Sequence, residues 1–168
     1  VQSTWSFFTI EAFDWTKAQI GYSLGFVGVM SMIVQGGLIR IVIPKLGQER
    51  SIYLGMVLYT IGLVLFSMAN QGWMLYPYLV VYCLGGIAGP ALQGLMSNQV
   101  GDSEQGELQG SLTSMMSATS IVGPWVMTSL FAYFTSSGAP YYFPGAPMML
   151  GAGLVLVGLF FSYRALSK

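Results

Sequence analysis

Residues 82–124, YCLGGIAGPALQGLMSNQVGDSEQGELQGSLTSMMSATSIVGP, predict two helices at membrane depth that are joined by an acidic loop. Ahead of the loop, polar or small residues recur every three or four positions, a spacing that aligns them on one side of a helix. This set comprises Tyr78, Tyr82, Gly86, Gly89, Gln93 and Ser97. After the loop, the same spacing relates Thr113, Ser117, Ser120, Pro124 and Thr128. We expect the polar sides of these two helices to line a shared hydrated cavity.

The composition indicates a membrane protein. Of the 168 residues, 54% are hydrophobic and 7% are charged, whereas a typical soluble domain has about 25% charged residues. Residues 51–101 and 108–163 contain no Asp, Glu, Lys or Arg. Each stretch is long enough for two spans of about 20 residues and a turn. We therefore expect an all-α, polytopic bundle in a lipid bilayer.

The same composition disfavours several classes of function. The chain has no run of basic residues that would follow a phosphate backbone, so we expect no nucleic acid partner. It has no His and a single cysteine, Cys83, which cannot form an intramolecular disulfide. We expect no metal and no cofactor, and the lack of His and of acidic residues at membrane depth disfavours an enzyme.

The order of apolar and polar segments predicts the end of one helix followed by five complete spans. The first helix covers residues 1–9, and the complete spans cover residues 17–41, 51–69, 73–99, 107–134 and 148–166. Asp14 or Thr16 is expected to cap the second helix, and residues 40–50 are expected to form a basic loop broken by Pro44 and Gly47. No initiator Met or charged leader precedes these helices, so we expect a fragment of a longer protein.

The basic residues predict an orientation. If the helices alternate in direction, five basic residues fall on one side and only Lys17 falls on the other, which marks the first side as cytoplasmic. The five are Arg40, Lys45, Arg50, Arg164 and Lys168. The C-terminus is then cytoplasmic. Interfacial aromatic residues are expected mostly on the opposite side, among them Trp5, Trp15, Trp73, Tyr76, Tyr133, Tyr141 and Tyr142.

A family resemblance rests on five strings that recur in order along the chain. They are Gly85-Gly86-Ile87, Pro90-Ala91-Leu92-Gln93, Gln105-Gly106, Leu108-Gln109-Gly110-Ser111-Leu112 and Thr119-Ser120-Ile121-Val122-Gly123-Pro124. Together they resemble the C-terminal half of tetracycline efflux pumps of the major facilitator superfamily, and the likeness covers essentially the whole chain. The resemblance implies a proton-driven drug antiporter of twelve helices in the bacterial inner membrane. The N-terminal half, which would carry the acidic residues for proton coupling, is missing here.

The loop after the second helix retains part of a superfamily signature, Gly-x-x-x-Asp-x-x-Gly followed by basic residues. The resemblance assigns Lys45, Gly47 and Arg50 to this cytoplasmic loop motif. Arg40 stands where the first Gly of the signature would be, and Pro44 stands close to the position of its Asp.

Six residues are candidates for contact with a small amphiphilic substrate. They are Ser31, Gln35, Tyr82, Gln93, Ser117 and Ser120. Each has an alternative interpretation. Gln35 and Gln93 would also serve as hydrogen-bonding residues between helices, and the serines would also bond to carbonyls of their own helix.

Glycine and proline residues are candidates for helix packing and bending. Bending of the gating helices is expected at Gly85, Gly86, Gly89, Pro90, Gly123 and Pro124. Gly21, Gly25 and Gly28 form a small-residue stripe that a neighbouring helix can approach closely, and Gly106 and Gly110 form a second packing motif.

The sequence thus predicts one half of a transporter that exports a drug-like amphiphile such as tetracycline in exchange for protons. Two alternatives remain at this point. One is a stand-alone half-transporter that works as a homodimer, and the other is a structural membrane subunit that does not transport.

Overall fold

The computed structural model describes residues 2–136 and 138–166 as a bundle of helices without strands in that part of the chain. The first helix, α1, spans Gln2–Phe13. Five longer helices follow, each long and apolar enough to cross a membrane. They are α2 Lys17–Leu46, α3 Gln48–Ser67, α4 Gly72–Ser97, α5 Asp102–Thr135 and α6 Ala146–Leu166. The prediction of an all-α bundle with five spans and a shorter first helix is confirmed.

Helix α3 lies at the centre, packed between α4 and α6. Its glycines allow a close approach to α4. A Cβ atom added to Gly55 would lie 2.6 Å from the backbone nitrogen of Ala88, and one added to Gly62 would lie 2.9 Å from the Cα of Tyr82. Because no side chain larger than hydrogen fits at these positions, the α3–α4 contact depends on both glycines.

A buried aromatic cluster ties α1 to the rest of the bundle. Trp5 is 4% exposed, and its indole Nε1 donates a hydrogen bond to Ser23 Oγ at 3.0 Å. The ring of Trp5 also meets Phe66 edge-on at a centroid distance of 5.2 Å. Trp15 is 8% exposed. Both rings are enclosed by the bundle: Trp5 packs against α2 and α3, and Trp15 packs against Trp5 and against Tyr76 of α4.

The predicted basic loop at residues 40–50 is wrong. Helix α2 continues through Arg40 and Pro44 and ends at Leu46. Helix α3 begins at Gln48, so a single residue separates the two helices. The intervening Gly47 has a φ of 82°, a left-handed conformation that glycine adopts without steric strain. Its N–H donates to the Ile43 carbonyl at 2.9 Å, which closes the last turn of α2.

Other helix ends differ from the predictions by a few residues. Helix α1 extends to Phe13 rather than residue 9, and α6 begins at Ala146 rather than residue 148. Of the two residues predicted to cap α2, Asp14 and Thr16, the structure has Thr16 as the cap. Its Oγ1 accepts from the Gln19 N–H at 3.4 Å, and its own N–H donates to Gln19 Oε1 at 2.8 Å. These two reciprocal bonds form a capping box.

Burial is distributed unevenly among the spans. In the most apolar stretch of α3, 39% of the residues are buried inside the bundle. The corresponding share is only 6% in α2 and 6% in α5. Helices α2 and α5 therefore present most of their surface away from the rest of this chain. Most of the predicted polar candidates lie on these two helices and on α4.

Candidate functional site

Two neighbouring helices lose their regular α-helical geometry at the same place. Helix α2 contains a π-helical segment, Val34–Leu38, and α4 contains a 3₁₀ turn, Gly85–Ile87. The two segments contact each other. Irregular backbone at membrane depth is tolerated where it is enclosed by protein or lines a cavity, and π-helical segments are frequent at functional sites. This contact is the centre of the candidate site.

The surface beside this contact is open. Apart from the local helix backbone, no atom of the described residues lies within 4 Å of a Cβ added to Gly36, Gly37, Gly86 or Gly89. Gln35 lies within the π-helical segment and is exposed, whereas Ser31, one turn earlier, is half-buried. Gln35 therefore presents an exposed amide to the open surface, and no described residue forms a side-chain hydrogen bond with it.

Gln93 connects α4 to α5. Its Nε2 donates to Gln109 Oε1 at 3.0 Å, and both side chains are exposed. This bond agrees with the interpretation of Gln93 as a hydrogen-bonding residue between helices, and it leaves the other polar atoms of both amides available. Gln109 is not among the substrate-contact residues predicted from the sequence. Its only signal was its position in the string 108–112 within a long uncharged stretch.

A second set of bonds fixes the turn between α4 and α5. Ser97 Oγ donates to Gln105 Oε1 at 2.8 Å, and Gln105 Nε2 donates back to the Ser97 carbonyl at 2.8 Å. Asn98 Nδ2 donates to Gln48 Oε1 on α3 at 3.4 Å. The acidic-loop end of the bundle is thus held by amide and hydroxyl groups.

Beyond this turn, α4 and α5 pack against different neighbours. Helix α4 lies against α2 and α3, whereas α5 contacts α1 and α6. The expectation that the polar sides of α4 and α5 line one shared cavity is only partly supported, because their amides meet solely near the acidic loop.

Ser117 and Ser120 lie on α5, and both side chains are exposed. Ser120 Oγ donates to the Ser117 carbonyl at 2.7 Å. This is the alternative predicted for Ser120, a bond to a carbonyl of its own helix. Thr119 bonds in the same way to the Met115 carbonyl at 3.0 Å. The Ser120 and Thr119 hydroxyls thus donate within their helix, and each oxygen can still accept a hydrogen bond from a ligand.

Tyr82 does not share the side of α4 that carries Gln93. Its ring meets Tyr59 edge-on at 4.8 Å and contacts Phe66 at 5.6 Å, both on α3. A 3₁₀ turn has 3.0 residues per turn rather than 3.6. The turn Gly85–Ile87 therefore shifts the register, and the predicted single stripe is divided into a packed part before it and an open part after it.

The bending candidates have different environments. Gly85 belongs to the 3₁₀ turn and is buried, and a Cβ added to it would lie 2.7 Å from the Tyr59 ring. Gly89 and Pro90 are exposed in a regular helical segment, Ala88–Ser97. Gly123 and Pro124 lie within an uninterrupted helical segment of α5. The only irregularity at a predicted bending position in the described residues is therefore at Gly85 and Gly86.

The loop-motif residues lie on the surface where α2 meets α3. Lys45, Gly47 and Arg50 are exposed. Gly47 and Arg50 line a cavity of about 300 Å³, together with Leu95 of α4. This shallow cavity lies at the same end of the bundle as the acidic loop.

The glycine packing motifs have no partner within the described chain. No atom lies within 4 Å of a Cβ added to Gly21, Gly25 or Gly28 on α2, or to Gly106 or Gly110 on α5. Both motifs lie on the two least buried spans. Among the described residues, no group of three or more His, Cys, Asp or Glu is arranged to hold a metal ion.

Sequence comparison finds curated relatives along most of the chain. The tetracycline resistance protein of class C from Escherichia coli is 36% identical over 155 residues, which is 92% of this chain and 38% of the relative. The class G protein from Vibrio anguillarum is 37% identical over the same shares. The class H protein from Pasteurella multocida is 32% identical over 163 residues, or 95% of this chain and 40% of that protein.

The chain thus spans about two fifths of the length of these relatives. No family model matches the sequence. No solved structure matches it either.

Proposed function

Because this chain belongs to the tetracycline resistance protein family of the major facilitator superfamily, we propose that it forms the C-terminal half of a proton-coupled exporter of tetracycline-like amphiphiles. The transporter is completed by a second set of six helices, the N-terminal half. It resides in the bacterial inner membrane with the C-terminus of this chain in the cytoplasm. The observation that carries the proposal is the open polar surface at the irregular contact of α2 and α4.

This surface suits a bulky, partly polar ligand. The free amide of Gln35 and the open glycines at positions 36, 37, 86 and 89 allow a ligand to approach the helix backbone closely. Gln93 and Gln109 add two further amides toward the acidic loop. Ser117 and Ser120 contribute from α5, and Tyr82 supports the surface from behind by fixing α4 on α3.

The second half is expected to dock on α2 and α5. These are the spans with the least burial, and each carries a glycine motif that no residue of the described chain fills. Small residues let transmembrane helices approach closely, so these motifs favour contact with further helices. The irregular segments of α2 and α4 then lie near the interface between the halves, where transporters of this architecture bind their substrates.

Proton exchange requires groups from the second half. The long uncharged stretches 51–101 and 108–163 contain no acidic residue. An ionisable residue at membrane depth is the usual proton carrier of a secondary transporter. In the proposed cycle, this chain provides one wall of the cavity and the bending segment at Gly85 and Gly86, and the second half provides the carboxylates.

The role of the open surface is tested with Gln35→Ala in cells that also express the N-terminal half of the class C relative. We expect lower tetracycline resistance with an unchanged amount of protein in the membrane. Gln99→Ala, an exposed glutamine at the acidic-loop end, serves as the matched control. Equal resistance in both variants would contradict a substrate contact at Gln35.

A further inference from the structure

A cavity of about 510 Å³ lies at the end of the bundle opposite the acidic loop. It is an open cleft lined by the ends of α1 and α3 and by the segment between α5 and α6. Its walls combine aromatic rings with a few polar groups, namely Phe8, Phe13, Phe143, Glu11, Asn70 and Tyr142. Small-molecule pockets usually have volumes of about 300 to 1,000 Å³ with mostly apolar walls and few polar groups. The cavity has the size and lining of such a pocket.

The walls are held in place by packing and backbone bonds. A Cβ atom added to Gly145 would lie 2.6 Å from the Ser67 carbonyl oxygen, so the α5–α6 segment lies directly on the end of α3. The Phe143 N–H donates to the Phe134 carbonyl at 3.1 Å. On the other side, Phe8 belongs to the buried aromatic cluster around Trp5 and is 2% exposed. The cavity is therefore part of the folded bundle.

The charge of the cavity is negative. Its lining includes one carboxylate, Glu11, and neither Lys nor Arg. The Tyr142 hydroxyl donates to Glu11 Oε1 at 2.9 Å. Partial burial, the bond to Glu11 and the nearby charges of Glu11 and Asp14 raise the pKa of Tyr142, so this phenol stays protonated at neutral pH. It therefore remains a donor and does not neutralise the carboxylate.

A carboxylate accepts several hydrogen bonds or ionic contacts at once, and the bond from Tyr142 uses only one of these sites. Aromatic faces attract cations through their quadrupoles. A small metal ion would have to give up part of its hydration shell beside the apolar walls and would gain only one carboxylate ligand in return, so the cavity disfavours it. An organic cation keeps its charge near Glu11 and buries its apolar body against the rings.

We propose that this cavity binds an organic cation, an ammonium or phosphonium carried on an aromatic body, with Glu11 as its counter-ion. The half-buried rings of Phe13 and Phe143 contact the apolar part of the ligand, and the buried Phe8 ring supports this wall from behind. Tyr142 orients the Glu11 carboxylate. The site lies at the far end of α5 from the Gln93–Gln109 pair and does not depend on the proposed transport surface.

The test is equilibrium dialysis of radiolabelled tetraphenylphosphonium against the purified 168-residue chain in detergent. We expect saturable binding that Glu11→Gln weakens by about twofold to fivefold, the scale of one exposed charge interaction. Glu104→Gln removes a carboxylate from the acidic loop at the other end and should leave the affinity unchanged. Neutral triphenylphosphine oxide, at equal concentration, should displace little of the cation.

Binding that is equal in the parent chain and in Glu11→Gln would overturn the proposal, as would the absence of saturable binding. Tyr142→Phe provides a second variant that keeps the charge and the ring but removes the hydrogen bond. It should weaken binding less than Glu11→Gln, and a larger loss with Tyr142→Phe would contradict the role of Glu11 as counter-ion. The assay involves no transport, so its outcome is independent of the proposed export function.

Discussion

Gln93 Nε2 and Gln109 Oε1 lie 3.0 Å apart and form a side-chain hydrogen bond between α4 and α5. The two helices otherwise pack against different neighbours, so this bond and the Ser97–Gln105 pair hold them together near the acidic loop. In a bilayer such a bond is worth about 0.6 kcal/mol on average. Its value for stability is therefore small, and we expect its main effect to be on the position of the Gln93 amide.

The first prediction concerns this pair in the complete transporter. Gln93→Ala should lower drug resistance while the amount of protein in the membrane stays near normal, because the side chain is exposed and its loss creates no cavity. Gln109→Leu should lower resistance in the same direction, since it leaves Gln93 without its partner. The measurement is minimum inhibitory concentration together with immunoblotting of membranes.

Ser114→Ala is the matched control on α5, because the Ser114 hydroxyl bonds only to the Gly110 carbonyl of its own helix. It should leave resistance unchanged. If Gln93→Ala instead removes the protein from the membrane, Gln93 is a structural residue and not a substrate contact.

The second prediction concerns the close α3–α4 contact. Gly62→Val places side-chain atoms where the backbone of Tyr82 lies, and we expect a loss of about 1 to 3 kcal/mol in stability from overpacking. Thermal unfolding in detergent, followed by circular dichroism, measures the loss.

Gly25→Val on α2 provides the comparison, because nothing lies within 4 Å of its added Cβ. Helix propensity favours valine over glycine, so this variant should be neutral or slightly stabilising. Similar destabilisation by both substitutions would show that the α3–α4 contact is not as close as described.

The third prediction concerns pH. The pKa of Tyr142 is raised above its usual value of 10 in the folded chain, mainly by burial and then by the bond to Glu11. A group with a raised pKa in the folded state contributes stability below its unfolded pKa, and that contribution is lost as the pH rises through the folded value. Stability should therefore fall above about pH 10, and Tyr142→Phe should fall less steeply over that interval. Equal slopes for the two proteins in alkaline unfolding would contradict the assignment.

The fourth prediction concerns orientation, and it rests on the five-to-one distribution of basic residues. Single cysteines at Glu49 and Gly138, in a Cys83→Ser background, should react with a membrane-impermeant maleimide from opposite sides. Gly138→Cys should be labelled in intact cells, and Glu49→Cys only after permeabilisation. Lys168, one of the five basic residues, lies outside the described residues, and Gly138 marks the α5–α6 segment. Labelling of both cysteines from one side would refute the topology.

The spans could be predicted from the sequence because hydropathy, caps and breaking residues act locally. Thr16 with Gln19 marks the start of α2, and the φ of Gly47 fixes its end. The charged Arg40 and the proline at 44 suggested an earlier end, but one proline does not terminate a helix whose remaining turns are intact. The number and order of the helices could therefore be predicted from local sequence, whereas the loop predicted at residues 40–50 was wrong.

The details of the candidate site could not be predicted in the same way. Assigning Tyr82 and Gln93 to one side of α4 assumed a constant 3.6-residue period, and the 3₁₀ turn at Gly85–Ile87 breaks that period. The π-helical turn at Gln35 lies where α2 contacts the irregular segment of α4. The partner of Gln93 lies on another helix, sixteen residues away. Each of these features arises from tertiary contacts that a single helical pattern does not encode.

The central claim, that this chain acts as one half of a proton-coupled exporter, is tested most directly by tetracycline accumulation in cells. One strain expresses the chain alone, and the other expresses it beside the separately encoded N-terminal half of the class C relative. We predict reduced, proton-dependent accumulation only when both halves are present, because the uncharged spans of this chain carry no acidic residue to exchange protons. Proton-dependent efflux from the chain alone, or no efflux from the pair although both halves are in the membrane, would contradict the account.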